Sequence, residues 1–265
     1  MKNKKIFFLI IFIKTFSEQK TFIINNQSKI IYDCAESLVD NIKPNYILGT
    51  YHTILNTPAT IITTKTKNIN KKFKIIIDPG HGGTENGAVY NGYKEKDLAL
   101  QISKKIFNLL KKDNLPVIMT RKTDTTLPVE NRAKLAQNYS GLYVSIHLNS
   151  ATKSEVHGIE TFWCSPLKIK WSTKTPNWAI NSEKFAKQIH AKILKILPSI
   201  NDRGVKHGCP LVLVSNMHMP AILIECGFLS NKDEAAKLAN NQYQSELARA
   251  IYEGIKDYWK LRITY

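Results

Sequence analysis

Apolar and polar positions fall into two regimes along this chain, and the change comes near Phe73. Beyond it, short apolar runs alternate with segments whose apolar residues recur at helical spacing. KIIID at 74–78 ends in PGHGG, which predicts a strand breaking into a Gly-rich loop. Leu98, Ile102, Ile106, Leu109 and Leu110 predict a helix over about residues 95–112. PVIMT at 116–120 and LYVSIHL at 142–148 read as buried strands, with a helix near 128–139 between them. GIETFW at 158–163, LVLV at 211–214 and AILIE at 221–225 read as three more strands. Residues 177–197 predict a long amphipathic helix ended by Pro198, and two helices close the chain near 232–239 and 242–260. This alternation predicts an α/β fold: a mostly parallel or mixed twisted sheet of about six strands, with helices on both faces, in one catalytic domain over residues 73–262.

The first 72 residues follow another logic. Lys2, Lys4 and Lys5 precede an unbroken apolar run from Ile6 to Ile13. A positive segment followed by so short a run reads as a secretory signal, because it is too short to span a bilayer. Thr15 and Ser17 are small enough to flank a cleavage site, so residues 1–17 are expected to be removed. An uncleaved membrane tether or a short buried strand are the alternatives. Residues 18–72 are rich in Asn, Ile, Thr and Lys, and read as a basic, polar lead-in or linker. No other stretch is apolar enough to span a membrane, so no stable span is expected after signal removal.

Charge narrows the partners. The 265 residues hold 38 Lys and Arg against 21 Asp and Glu, a net charge of +17. The excess is mostly Lys and spread along the chain, without an Arg-rich tract or a basic helix stripe. A nucleic-acid binder would gather its basic residues on one face, so no nucleic-acid partner is expected. Cys34, Cys164, Cys209 and Cys226 are too few for a disulfide-built scaffold, and none lies in a CxxC motif. In an oxidising compartment they allow three pairings; buried free thiols are the other reading.

In open α/β sheets, functional residues gather where strands end. Asp78 and His81 follow the first strand, His147 ends another, and Glu225 ends the last. Together with the motifs around them they carry a resemblance. IDPGHGG (77–83), NGYKEKDLAL (91–100), TRKTD (120–124), SIHLNS (145–150) and LIECGFLSN (223–231) match, in order, the zinc-dependent N-acetylmuramoyl-L-alanine amidases. That family includes septal cell-separation amidases and endolysin-like enzymes.

The resemblance implies one zinc ion held by His81, Glu95 and His147. Three protein ligands with a fourth position open to water suit a catalytic zinc site. Other readings of these residues are a plain loop histidine, a helix N-terminal charge and a core histidine. Glu225 matches the catalytic glutamate, which takes a proton from a zinc-activated water and returns it to the leaving amine; a salt-bridged carboxylate is the alternative. Asn149 and His218 are candidates for substrate contact. Asp78 reads as a turn-fixing or ligand-supporting residue, and Arg121 and Arg132, which match family positions, as structural pairs. His157 and His207 match no ligand position, and His52 and His190 read as surface residues.

The implied reaction is cleavage of the amide between the lactyl group of N-acetylmuramic acid and L-alanine of the stem peptide, by an exported enzyme of the periplasm or cell wall. Alternatives are a zinc endopeptidase or carboxypeptidase acting within the stem, and a non-catalytic wall-binding protein. The implied partner is peptidoglycan, whose carboxylates suit a diffusely basic protein. Septal members carry an insertion after the GIETFW-type strand, whose helix plugs the zinc site until an activator removes it. Only about 15 residues, Cys164 to Trp178, stand there in this chain, too few for a helix with its connections, so no activator is expected to be required.

Overall fold

Five strands of the main sheet lie where apolar runs predict them, and the sixth lies where no such run exists. In this computed structural model the chain forms two units, Met1–Lys67 and Asn68–Tyr265. The structure describes residues 8–14, 19–25, 29–31, 72–164, 177–214 and 219–263. In the first unit, β1 (Phe8–Lys14), β2 (Gln19–Asn25) and β3 (Lys29–Ile31) form an antiparallel three-stranded sheet.

The second unit runs β4 (Lys72–Pro79), a small hairpin of β5 (Val89–Tyr90) and β6 (Tyr93–Lys94), α1 (Glu95–Lys112), β7 (Val117–Met119), α2 (Val129–Ala136) and β8 (Tyr139–Asn149). It continues through β9 (Ile159–Trp163), α3 (Asn177–Ile196), β10 (Asp202–His207), α4 (Leu211–Val214), β11 (Ala221–Phe228), α5 (Lys232–Ala239) and α6 (Asn241–Ile263). The six-stranded sheet has the order β10-β9-β11-β8-β4-β7. Strands β7, β4, β8 and β11 are mutually parallel; β9 runs antiparallel to β11, and β10 parallel to β9. The sheet is therefore mixed.

The two-residue period of β8 sorts the core into layers. Leu142, Val144, Ile146 and Leu148 face the larger cluster, packed under α1, α3 and α6 by Ile102, Ile106, Phe185, Ile189 and Ile251. Tyr143 faces the smaller cluster with Ile76, Leu223, Ala136 of α2 and Leu213 of α4. Among the described residues, the short helices α2 and α4 are the ones that pack on this second face.

Three sequence expectations are corrected. LVLV at 211–214 is a single helical turn, α4, after Pro210. A four-residue apolar run carries no period long enough to separate strand from helix. The sixth strand is instead β10, DRGVKH, whose polar composition suits a sheet edge where only one side of the ladder is paired. His190 is buried, not on the surface: one ring nitrogen lies 2.9 Å from Thr161 Oγ1 and the other 2.9 Å from Asp202 Oδ1. It occupies the inner face of α3, where pairing of both nitrogens removes the cost of burial. His52 and His218 lie outside the described residues.

Cys164 and Cys209 form a disulfide that ties the end of β9 to the loop after β10, while Cys226 is a buried free thiol in the larger core. Cys34 lies outside the described residues. The bridge spans a sequence separation of 45 residues. Closing a loop of that size contributes about 2–4 kcal/mol. Thermal melts should therefore fall several degrees on reduction, and a Cys209→Ser variant should start low and be insensitive to reductant.

Candidate active site

The site begins with how helix α1 starts. No side chain caps it; the backbone carbonyls of Asn86 and Ala88, just before the β5–β6 hairpin, do so. Glu95 N–H donates to Ala88 O at 2.9 Å, and Ala88 N–H returns a bond to Glu95 Oε2 at 2.9 Å. Leu148 N–H at the end of β8 donates to the other oxygen, Oε1, at 3.1 Å. Helix start, loop and strand end thus converge on one buried carboxylate.

Two histidines complete it. His147 Nδ1 lies 2.8 Å from Glu95 Oε1, and His81 Nε2 lies 3.1 Å from Oε2. One potential ligand atom from each of the three lies within 4.8 Å of the others. Burial would raise the Glu95 carboxyl, but hydrogen bonds from His147 and His81 outweigh it and hold it far below the usual carboxylate range. Burial would likewise lower the His147 imidazole; its bond to Glu95 and the charges of Glu225 and Asp78 raise it instead. An anion between two imidazoles is a donor set that fits zinc, which takes nitrogen and carboxylate ligands.

Backbone shape makes room for this cluster. A Cβ on Gly80 would sit 2.4 Å from His147 Cε1, and one on Gly87 (φ +66°) 2.3 Å from Glu95 Oε2. His81 itself has φ 53°, an uncommon conformation for a residue with a side chain and one that clusters at functional sites. Buried groups hold it there. Arg132 donates to the carbonyls of Pro79 and His81, each at 2.7 Å, and to Asp78 Oδ1 at 2.7 Å. Arg121 donates to Pro79 O, Gly80 O and Lys96 O. Asp78 accepts from Arg132, Thr120 Oγ1 and Ser145 Oγ, so its partners are side chains rather than turn amides.

Glu225 stands beside the cluster. It pairs with His147 across the β11–β8 ladder and with Glu160 across β11–β9, so the three side chains share a face. Its Oε2 is buried and, among the described residues, has no hydrogen-bond partner. Burial pushes its pKa up to about 7, Glu95 and Glu160 add to the rise, and His147 opposes it. An unpartnered buried carboxylate beside two histidines and a second carboxylate is suited to moving a proton.

With this geometry in view, comparison with known proteins is decisive. A family model for N-acetylmuramoyl-L-alanine amidase matches residues 75–257. The chain belongs to the N-acetylmuramoyl-L-alanine amidase family.

It is 34% identical to the germination-specific N-acetylmuramoyl-L-alanine amidase of Bacillus subtilis over 201 residues, covering 70% of this chain and 79% of that one. The amidase LytC of the same organism is 32% identical, over 80% of this chain and 41% of LytC. The crystal structure of an N-acetylmuramoyl-L-alanine amidase from Clostridium difficile 630 superposes with a TM-score of 0.61 at 34% identity, covering 72% of this chain and 98% of that one. The CwlD amidase from Clostridioides difficile, solved in complex with the GerS lipoprotein, gives 0.62 at 31% identity, covering 72% of this chain and all of that one. The protein is thus an amidase of peptidoglycan with the mixed-sheet fold of its relatives.

In this amidase the structure brings together His81, Glu95, His147 and Glu225, with Asp78, Arg121 and Arg132 beneath their loop. Asn149 sits at the rim, its Nδ2 3.4 Å from Glu160 Oε2. Sequence reasoning passed over Glu160, the cross-strand neighbour of Glu225, and over Arg203 and Lys206, which pair with Glu160. An acidic residue inside the apolar run GIETFW was the available signal.

Two outcomes follow from this geometry. Gly80→Ala should push His147 out of place and weaken zinc binding by about tenfold or more, measured by chelator competition. Glu225 has a folded pKa above its unfolded value, so the folded state loses stability as pH rises from about 4.5 through about 7. In metal-free protein, Glu225→Gln should raise the melting midpoint by roughly 5 °C at pH 8 and little at pH 5.

Proposed function

We propose that this amidase is an exported zinc enzyme that cleaves the amide joining the lactyl group of N-acetylmuramic acid to L-alanine of the stem peptide. The observation that carries the reading is the buried, unpartnered Oε2 of Glu225 beside the His81–Glu95–His147 cluster. Zinc held by those three residues would supply a Lewis acid that polarises the scissile carbonyl and makes water more acidic. Glu225 accepts the proton of the attacking water at Oε2 and delivers it to the nitrogen of the departing L-alanine. Glu95 stays ionised and, with its two backbone N–H bonds, fixes the orientation of both imidazoles. Arg121 and Arg132 hold the 79–81 backbone in the shape this requires.

Export is supported from two directions. The Lys-flanked apolar run at residues 6–13 suits a signal removed after Ser17, and the Cys164–Cys209 bridge suits an oxidising compartment such as the periplasm or cell wall. Among the described residues no helix is long and apolar enough to cross a membrane. The span after β9 is too short for a plugging helix, which supports activity without an activator; residues 165–176 of that span lie outside the described residues.

Mass spectrometry of products from purified sacculi tests the reading. Stem peptides beginning with a free L-alanine amine should appear, and chelator should stop their release. Cuts only within the stem would replace the amidase reading with a peptidase one. Glu225→Ala should lose at least about 10²-fold in rate while binding zinc, whereas His81→Ala should lose the metal as well. Full turnover by Glu225→Ala would remove the proton-transfer role.

A further inference from the structure

The face that carries His147 and Glu225 continues sideways into a charged row that the proton-transfer chemistry does not use. Glu160 on β9 is the cross-strand neighbour of Glu225. Its side chain is only 4% exposed, and one oxygen, Oε1, accepts from both Arg203 Nε at 2.5 Å and Lys206 Nζ at 2.6 Å. Its other oxygen faces Asn149 Nδ2. Burial would raise the Glu160 carboxyl, but Lys206 and Arg203 outweigh it and keep the group ionised.

Two features mark this cluster as more than a buried ion pair. The first is backbone. Residues 203 and 206 are three apart, so in a regular strand they would point to opposite faces. Between Asp202, opposite Ile159, and Val205, opposite Thr161, β10 carries one extra residue, with Gly204 at φ +86°. This bulge turns both cations toward Glu160, as bulges beside active sites re-aim side chains. The second is charge. One cation neutralises Glu160, and the second is surplus. Glu160 is buried, while the side chains of Arg203 and Lys206 are 31% and 38% exposed, so the cations are within reach of solvent and the anion is not. Arg203 binds Glu160 through Nε, and among the described residues neither of its terminal Nη groups has a hydrogen-bond partner. Its guanidinium is steadied against the Phe228 ring at 4.9 Å. A guanidinium fixed by Nε with its fork free matches a carboxylate.

We infer that Arg203 and Lys206, positioned by Glu160 and the Gly204 bulge, bind a carboxylate of the stem peptide on the leaving-group side of the scissile amide. The inference rests on the amidase reading and adds how the substrate is gripped. Two strand spacings, about 10 Å, separate the β10 and β11 backbones, and Arg203 spans part of that gap. A peptide advances about 3.5 Å per residue, so a carboxylate two or three residues past the cut comes level with the pair. Arg203 and Lys206 are thus specificity residues, and Glu160 a positioning residue.

The test uses soluble N-acetylmuramoyl-peptides with free stem carboxylates, and the same compounds converted to carboxamides. The full-length zinc-loaded wild type should favour the acid by about tenfold in kcat/KM, mostly through KM. In the Arg203→Gln/Lys206→Gln variant the acid-to-amide ratio should fall to near one, and Arg203→Lys should keep part of it. Both substrates are read on one preparation, so a loss of folded protein cancels from the ratio. A wild type that cleaves both compounds equally, or a double variant that keeps the wild-type ratio, overturns the inference and leaves the amidase reading standing. A wild type that releases no L-alanyl peptide from either compound removes both.

Discussion

The site depends on two buried guanidinium groups that hold a backbone segment in a shape it would not otherwise keep. Arg121 and Arg132 together donate to the carbonyls of Pro79, Gly80 and His81, and Asp78 balances part of their charge. Burying charge without such partners is costly, so the arginines and the loop stabilise each other. Only with that loop fixed at the positive φ of His81 does its imidazole meet Glu95. The motif residues that carry no chemistry of their own are therefore what makes the chemical residues coincide.

The sheet then supplies the second constraint. Among the described residues, α1, α3, α5 and α6 pack on one face of it, and the short α2 and α4 on the other. His147, Glu225 and Glu160 are cross-strand neighbours and fall together on the face that carries α2 and α4. Strand pairing sets their spacing, so the His81–Glu95–His147 cluster, Glu225, Glu160 and the basic pair follow one another across β8, β11, β9 and β10. At one end of that line Glu95 lies between two histidines, and at the other Glu160 lies between two cations. Along that line, and among the described residues, Glu225 has a buried oxygen, Oε2, without a hydrogen-bond partner, which suits the proton transfer proposed for it.

The diffuse basicity of the chain takes a local form here. Most of the lysines among the described residues are exposed, but Lys96 is buried, donating to Gly83 O and Asp124 to brace the Gly-rich loop. Arg203 and Lys206 are the instance where two cations share one anion beside the site. Net charge suits an acidic polymer as partner; placement decides where that polymer is held.

By itself the sequence determined the alternation of strands and helices, the limits of α1, and the strand ends that carry His81, His147 and Glu225. Apolar period and Gly-rich breaks are local properties, and each motif lies within a few residues. Four-residue LVLV and polar β10 escaped because one is too short to show a period and the other is an edge strand whose residues answer to a neighbour. Glu160, Arg203 and Lys206 escaped for the same reason: their meeting requires β9 beside β11 and a bulge in β10, which no local pattern states. The buried state of His190 and the choice of Cys209 as partner of Cys164 were likewise decided by packing. Tertiary structure fixed these because pairing across strands and burial against a distant helix are contacts between segments far apart in the chain, and residue order constrains them only through the fold as a whole.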